Sequence, residues 1–154
     1  MWTSRIYLLV GVFLLGLVGY PSNTLSLPNI TPYKPSTWDD KIVVSTVTST
    51  RTDDVLTTND TLYVDLAVRN NGDVDIDSTF KVSLSVDGVF KTALTKSSSL
   101  KKGWYTYWND RSIGSLSAGS HTITIVTDYT NTITETNESD NSYTKTISVV
   151  AATT

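Results

Sequence analysis

The sequence of 154 residues predicts an all-β protein. The predicted fold is an immunoglobulin-like antiparallel β-sandwich of about seven strands, preceded by one N-terminal hydrophobic helix. First, apolar and polar residues alternate with a period of two from residue 41 onward, as in strands that bury one face. Second, these segments recur at intervals of about 8–12 residues, separated by turn sequences such as Asp87-Gly88. Together they favour two stacked sheets over a helical fold.

Seven segments are predicted to be strands, and four of them show the alternating pattern. The clearest is TLYVDLAV (61–68), in which every second residue from Leu62 to Val68 is apolar. β-branched residues, which favour strands, fill the opening segment KIVVSTVTST (41–50). In chain order the predicted strands span residues 41–50, 61–68, 80–86, 90–94, 104–110, 121–128 and 143–150.

The start of the chain differs from the rest in composition. After Arg5, residues 6–20 form an uncharged run of 15 residues. This length fits the apolar region of a signal peptide, about 7–15 residues, better than a spanning helix, which needs about 20. No A-x-A cleavage pattern follows, so residues 1–20 are predicted to be either a signal peptide or a retained membrane anchor. In both cases the remainder is exported, which predicts an extracellular or cell-surface location.

The second twenty residues contain all four prolines of the chain. Proline fixes φ and removes a backbone donor, so residues 21–40 are predicted to form an extended, Pro-rich stalk or arm. The alternating pattern then defines one domain over residues 41–150. Residues 151–154 form a short tail.

The composition excludes several classes of function. The formal net charge is −3 at pH 7 and no basic cluster is present, so nucleic acid is not expected as a partner. The chain has no Cys, which excludes disulfides and thiolate chemistry. Its single His, His121, is not accompanied by a G-x-S-x-G motif. The sequence therefore predicts a protein that is not an enzyme and that has no cofactor, calcium excepted.

Oxygen-bearing side chains cluster before the last predicted strand, in and around ETNESDN (135–141). Calcium takes about six to eight oxygen ligands, so such a cluster is a candidate calcium site. The alternative is that Asp and Asn side chains accept hydrogen bonds from backbone N–H groups where one strand crosses to the next. The candidate ligands are Asp128, Asn131, Glu135, Glu138, Asp140 and Asn141.

The predicted strand WYTYWND (104–110) is aromatic on both faces. Alternation places Trp104 and Trp108 on one face and Tyr105 and Tyr107 on the other. One set can fill the core, and the other can bind a protein partner or stack on a sugar. The alternative is a core set plus an aromatic ladder on the surface of the sheet.

Three asparagines begin the N-glycosylation sequon Asn-x-Ser/Thr. They are Asn29, Asn59 and Asn137. In an exported chain each is a candidate glycosylation site, although a Thr-rich sequence also produces the pattern by chance.

Two longer segments resemble the CARDB family, the cell adhesion related domain found in bacteria. VRNNGDVDIDSTFKVSLSVDG (68–88) has the Asn-x-Gly turn between two strands, and LSAGSHTITIVTDYTNTITETNESDNSYTKTISV (116–149) has the Gly-x-His lead-in and the Asn/Glu turn. KIVVSTVT (41–48) is similar to the usual opening strand. The resemblance implies an immunoglobulin-like sandwich on an exported or surface protein.

These observations predict a non-catalytic extracellular module for adhesion or for the structure of an envelope or filament. The alternative is a module that binds a carbohydrate or a protein ligand through the Trp/Tyr strand. The expected partners are other surface proteins, copies of the same chain and glycans. The membrane is a further expected partner, through residues 6–20, if the leader is retained.

Overall fold

The computed structural model describes residues 25–153, which form nine β-strands and no helix. The predicted hydrophobic helix, the signal peptide or anchor, and the first residues of the predicted stalk lie outside the described residues, as does the last residue of the tail. Residues 25–153 contain no helix with the length and apolar character that a membrane span requires. The strands are β1 (Ile30–Pro32), β2 (Ile42–Ser45), β3 (Leu56–Thr57), β4 (Leu62–Asn70), β5 (Phe80–Val86), β6 (Val89–Lys96), β7 (Tyr105–Gly114), β8 (Gly119–Val126) and β9 (Ser142–Val150).

The nine strands form two sheets. In the first sheet β4 is central, with β1 and β2 along one side and β7 along the other. The second sheet has the order β3-β9-β8-β5-β6. The all-β prediction is confirmed, and the seven predicted strands correspond to β2 and β4 to β9. The strand count and the purely antiparallel arrangement were wrong, because β1 and β3 are additional and β3 runs parallel to β9. Both additional strands have three residues or fewer, too short to show a period.

The core lies between the two sheets. On β4, Leu62, Val64, Leu66 and Val68 are fully buried, as the period of two predicts. The second sheet contributes the inward residues of β5, β8 and β9, with Phe80 as the largest fully buried side chain. Burying an aliphatic or aromatic side chain contributes about 1.5–3 kcal/mol, so this layer holds the Cys-free sandwich together.

The N-terminal segment, residues 25–40, is part of the sandwich and not a free stalk. Ile30 pairs with Asn70 and Pro32 with Val68, so β1 extends the first sheet beside β4. Ile30 is fully buried in the core, and Trp38 is buried on the outside of the same sheet. A strand at the margin of a sheet tolerates proline, because one row of its backbone groups needs no partner. The folded domain therefore begins on the N-terminal side of the predicted boundary at residue 41.

Candidate functional site

Aromatic side chains cover the outer surface of the first sheet, on the side away from the core. Tyr105 and Tyr107 project from β7, and Trp104 stands in the turn before it. Tyr33 and Trp38 come from the N-terminal segment and pack against these tyrosines. We call these five residues the aromatic face. Trp104, Tyr105 and Tyr107 leave 69%, 46% and 52% of their surface exposed.

The rings of the aromatic face, Trp104 excepted, form a continuous row. The centroids of Tyr33 and Tyr105 are 5.2 Å apart, and those of Tyr105 and Tyr107 are 6.4 Å apart. Trp38 meets Tyr107 edge to face at 6.2 Å. Such pairs contribute about 0.5–1.5 kcal/mol beyond simple burial, so the rings are held in place by their contacts with one another.

An arginine lies at each end of this row. The guanidinium of Arg69 lies 5.4 Å from the ring centre of Tyr33, and that of Arg51 lies 5.2 Å from Trp38. Cations over aromatic rings are attracted by the negative face of the π-system. The aromatic face is therefore apolar in its centre and has a guanidinium group at each of its two ends.

A buried carboxylate fixes one end of the row. Asp65 of β4 accepts a hydrogen bond from Arg51 at 2.7 Å and another from the backbone N–H of Asp110 at 2.5 Å. Asp110 adopts a φ of 56° at a bulge in β7 opposite Asp65. Burial raises the pKa of Asp65, while the Asp110 N–H and Arg51 act against that rise. Arg51 and the bulge are thus held by one anchor.

The structure separates the two tryptophans that the alternation placed together. Trp108 lies on the inner side of β7 and packs against the core. Trp104 precedes the strand, in a turn in which its N–H donates to the Lys101 carbonyl at 3.0 Å, so it does not follow the alternation. Gly103, Trp104 and Tyr105 line a shallow cavity of about 210 Å³.

The oxygen-rich loop between β8 and β9, residues 127–141, binds the N-terminal segment. We call it the clamp loop. The Ile30 N–H donates to the Glu135 carboxylate, and the Thr136 N–H donates to the Pro28 carbonyl at 3.0 Å. The Thr127 hydroxyl donates to the Ile30 carbonyl at 2.8 Å. The clamp loop therefore satisfies backbone groups of residues 28–30 from one side.

Asn29 is the centre of this contact and is almost fully buried. Its amide donates to Asn71 Oδ1 at 2.8 Å and to Asp140 Oδ2 at 3.0 Å. Its Oδ1 accepts from the Asn137 N–H at 2.9 Å. One side chain thus joins the clamp loop to the turn after β4.

The turn after β4 holds the segment from the other side. The Asp73 N–H donates to the Leu27 carbonyl at 2.8 Å. A Cβ placed on Gly72 would lie 2.3 Å from the carbonyl carbon of Pro28 and 2.4 Å from the Asn29 nitrogen, distances that real Cβ atoms do not reach. Glycine is therefore required here for close approach of two backbones.

The candidate calcium ligands divide into two groups. Asp128 accepts from the Thr132 hydroxyl at 2.8 Å and from the Ile133 N–H at 2.7 Å, and the Asn131 N–H bonds back to the Asp128 carbonyl at 2.7 Å. Asp128 and Asn131 thus close their own turn. Residues 25–153 contain no group of three or more His, Cys, Asp or Glu side chains placed to hold a metal ion.

The second group surrounds the clamped segment. Asn141 donates to Glu135 at 3.0 Å, Asp140 accepts from Asn29, and Glu138 accepts from the Glu135 N–H at 3.0 Å. One side-chain oxygen of Asp140 and one of Asn141 are buried without a hydrogen-bond partner among residues 25–153. The alternative reading, side chains that satisfy local backbone, accounts for most of these oxygens but not for those two.

Glu135 is the most perturbed acid of the clamp loop. Burial raises its pKa to about 7, the hydrogen bonds from Ile30 and Asn141 act to lower it, and the charges of Glu138 and Asp128 raise it further. None of the ion pairs within residues 25–153 involves a carboxylate of this loop. Glu135 is thus a buried acid without a basic partner in the described part of the chain.

His121 of β8 is held by two hydrogen bonds. Its Nδ1 lies 2.7 Å from Asp87 Oδ2, and its Nε2 lies 2.9 Å from the backbone carbonyl of Ser117. The pKa of His121 is raised, mainly by the hydrogen bond with Asp87 and to a smaller extent by the hydrogen bond with Ser117. Because Nε2 faces a carbonyl and not a hydroxyl, this His does not activate a serine.

The three sequons lie in different environments. Asn29 is buried and both atoms of its amide are bonded, so the folded chain does not present it to a modifying enzyme. Asn59 and Asn137 are exposed. The Asn137 Oδ1 accepts from the hydroxyl of Ser139, the third residue of its own sequon, at 2.6 Å.

Sequence reasoning missed part of the aromatic face. Tyr33, Trp38 and Arg51 were not singled out, although two aromatics in a proline-rich segment are a sign that the segment packs on something. Arg51 and Asp65 carried no local sign, because their pairing depends on a contact between two distant segments.

A sequence model of the CARDB family matches residues 42–145. The chain belongs to the CARDB family. No curated protein matches the chain as a relative. The match begins after the N-terminal segment, so Asn29, Tyr33 and Trp38 lie outside the region that the family describes.

Solved CARDB domains have a similar fold. The crystal structure of a Pyrococcus furiosus CARDB domain in complex with di-metal ions is 24% identical, with a TM-score of 0.58 over 84% of this chain and 99% of that one. A solution structure of the same domain is 23% identical, with a TM-score of 0.59 over 82% and 98%. A domain of a "putative cell surface protein" from Methanosarcina acetivorans is 25% identical, with a TM-score of 0.58 over 80% and 93%. The family and these likenesses suggest a surface module.

Proposed function

We propose that this chain is a non-catalytic, immunoglobulin-like module of the extracellular space or cell surface. In this proposal its aromatic face binds other surface proteins and serves adhesion or the structure of an envelope or filament. The observation that carries the proposal is the exposed, pre-ordered row of Tyr105 and Tyr107 between two arginines. Tyr, Trp and Arg are the residues that dominate the binding energy of protein interfaces.

The side chains with the most perturbed pKa values are engaged within the fold, which is compatible with a binding role. His121 is paired with Asp87 and a backbone carbonyl. The perturbed acid Glu135 is buried under the N-terminal segment, where a substrate does not reach it. An acid that acts in catalysis needs a cleft and a reacting group beside it.

Binding to the surfaces of the cells that make the protein tests the proposal. We expect the double variant Tyr105→Ala/Tyr107→Ala of the labelled full-length chain to bind intact cells at least about tenfold more weakly, since interface anchors contribute about 2 kcal/mol or more. Phe90→Ala is the matched control, because Phe90 is an exposed aromatic on β6 in the other sheet. Equal binding by the parent and the double variant, with Phe90→Ala also unchanged, would overturn the proposal.

The alternative is a carbohydrate ligand. It is favoured by the cavity beside Trp104, where a sugar can stack on the exposed indole. If it is right, the full-length chain binds defined members of a glycan array and Trp104→Ala abolishes that binding. If the chain binds no glycan on the array and its tryptophan fluorescence does not change on addition of sugars, the alternative is ruled out.

A calcium ion at the clamp loop is a second proposal. The residues that would hold the ion are Asp140 and Asn141, each through a buried side-chain oxygen that lacks a hydrogen-bond partner, and the neighbouring Glu135. The di-metal crystal structure of the Pyrococcus furiosus domain is compatible with this reading. Added calcium is expected to raise the melting temperature, and EDTA to lower it, in the parent chain but not in Asp140→Ala. An identical melting temperature with EDTA and with calcium removes the proposal.

A further inference from the structure

The outer edge of β7 has no neighbouring strand within residues 25–153, because β7 pairs with β4 alone. Exposed edges are usually protected by charged side chains, proline or bulges. Residues 103–109 contain neither a charged side chain nor a proline, and the bulge lies beyond them at Asp110. The aromatic half of this edge is therefore open to strand pairing.

The backbone groups that face the open edge follow from the bonds of β4. The Ala67 carbonyl accepts from the Tyr33 N–H at 2.9 Å, so the backbone groups of Ala67 point toward β1 and away from β7. Tyr107 is the residue opposite Ala67, and Tyr105 is opposite Arg69. In antiparallel pairs these directions alternate, so the N–H and C=O of Tyr105 and Tyr107 point outward at the open edge.

A second bond agrees with this assignment. The Asn70 N–H donates to the Trp104 carbonyl at 2.9 Å, so Trp104 faces β4. Thr106 and Trp108, at the same parity, therefore also turn their backbone groups toward β4. At the open edge, Tyr105 and Tyr107 thus each present one N–H donor and one C=O acceptor.

We propose that β7 pairs with β7 of a second copy of this chain, antiparallel and symmetric about Thr106. In this register Tyr105 of each copy lies opposite Tyr107 of the other, and the two pairs use all four outward groups of each strand. A two-fold axis requires the same patch on both copies to be complementary to itself. The outward N–H and C=O groups of Tyr105 and Tyr107 lie symmetrically on either side of Thr106. Rotation about a two-fold axis through Thr106 therefore places each donor opposite an acceptor.

The side chains on the outer face fit the same register. Tyr105 of each copy lies opposite Tyr107 of the other, and tyrosines opposite each other on one face are favourable cross-strand pairs. The dimer would join two aromatic faces into one surface. It goes beyond the proposed function, because its formation needs no ligand from the cell surface.

A single cysteine at the symmetry axis tests the pairing. The chain has no Cys of its own, so Thr106→Cys introduces one thiol per copy. The two Thr106 residues would form a non-hydrogen-bonded pair with Cα atoms about 4.5 Å apart, within the range that a disulfide spans. We expect the full-length Thr106→Cys chain to form a covalent dimer under mild oxidation, reversed by reductant. We also expect the parent chain to show a concentration-dependent dimer by light scattering.

Thr95→Cys is the matched control. Thr95 is exposed on β6, the other long strand with a single neighbour in the described part. It should remain monomeric under the same oxidation. A parent chain that stays monomeric up to millimolar concentration would overturn the proposal. So would equal cross-linking of Thr95→Cys and Thr106→Cys. Neither result depends on whether the aromatic face binds a cell-surface partner.

Discussion

The clamp loop and the aromatic face use opposite kinds of residue in opposite ways. The clamp loop is rich in carboxylates and amides, and nearly all of these side chains bond to backbone or to each other. The aromatic face consists of residues that usually fill a core, and it leaves Trp104, Tyr105 and Tyr107 exposed. The side chains that suggest chemistry therefore maintain the fold, and the side chains that suggest packing are available for binding.

The N-terminal segment connects these two regions. Its first part, residues 27–31, lies between the clamp loop and the turn at Gly72, and its second part supplies Tyr33 and Trp38 to the aromatic face. Anything that loosens the clamp should therefore disturb the aromatic face, whereas trimming the aromatic face should leave the clamp intact.

The largest effect is expected from Gly72→Ala. The new Cβ would collide with backbone atoms of Pro28 and Asn29, which cannot rotate away as a side chain can. We expect a loss of about 3 kcal/mol in the free energy of unfolding, since overpacking costs about 1–3 kcal/mol and occasionally more. Chemical denaturation measures it. Gly103→Ala is the control: its Cβ meets nothing within 4 Å, and its φ of 78° alone should cost about 1–2 kcal/mol. An equal loss in both variants would contradict the clamp.

Asn29→Ala should have the next largest effect. It removes three hydrogen bonds of a buried side chain and leaves Asp140, Asn71 and the Asn137 N–H without that partner. At about 1 kcal/mol per bond, the loss is about 2–3 kcal/mol, or roughly 6–10 °C in melting temperature. Asn59→Ala, in an exposed turn, should change stability by less than about 0.5 kcal/mol. Similar melting temperatures for the two variants would show that the Asn29 contacts are dispensable.

Glu135 should make stability depend on pH. Its folded pKa, about 7, exceeds the ordinary value of 4.5, so the folded state holds the proton more tightly than the unfolded state. Stability should therefore fall as the pH rises from 4.5 to 7, by an amount on the order of 2 kcal/mol. Glu135→Gln keeps an oxygen for the Ile30 N–H without the charge and should flatten this decline.

Thermal melting of the parent chain and of Glu135→Gln from pH 4.5 to pH 8 measures this difference. We expect the two melting temperatures to be similar at pH 4.5 and to diverge as the pH rises. The raised pKa of His121 also makes stability fall with pH, but above the ordinary His value, and it does so equally in both chains. A parent chain whose melting temperature is flat between pH 4.5 and 7 would contradict the prediction.

The smallest effect on stability is expected at the aromatic face. Tyr105→Ala/Tyr107→Ala removes three aromatic contacts of half-exposed rings. Because the rings are exposed, we expect the lower end of about 0.5–1.5 kcal/mol per contact, so the unfolding free energy should fall by about 1.5 kcal/mol. Thermal melting of this variant beside Asn29→Ala measures the contrast. A loss as large as that of Asn29→Ala would mean that the aromatic face supports the fold and is not set aside for binding.

Much of the fold was predictable because burial in a sandwich imposes a period of two on the sequence. β4 and β5 show this period clearly, and the same parity assigned their inward residues. β1 and β3 were not predictable, because two or three residues cannot display a period. The prolines suggested an extended chain, which is right for β1, but they do not tell whether such a chain binds its own domain.

The sequence identified residues of the candidate sites but not the distant residues that they contact. The sequence singled out Tyr105 and Tyr107, and their neighbours Tyr33 and Trp38 lie about 70 residues away along the chain. ETNESDN was correctly placed between the last two strands, yet its bonds to residues 28–30 join positions more than 100 residues apart. Such contacts have no local pattern.

The all-β class and seven of the strands were predictable from the sequence alone, because alternation and turn residues act over a few neighbouring positions. The family was indicated separately, by the resemblance of residues 68–88 and 116–149 to CARDB domains. Tertiary contacts were needed to show that the proline-rich segment is held by the clamp loop, that Trp104 is exposed while Trp108 packs half-buried against the core, and that β7 keeps an open edge within residues 25–153. Each of these depends on which strand lies beside which. That pairing is set by the packing of distant segments around one core and not by the order of residues within any one of them.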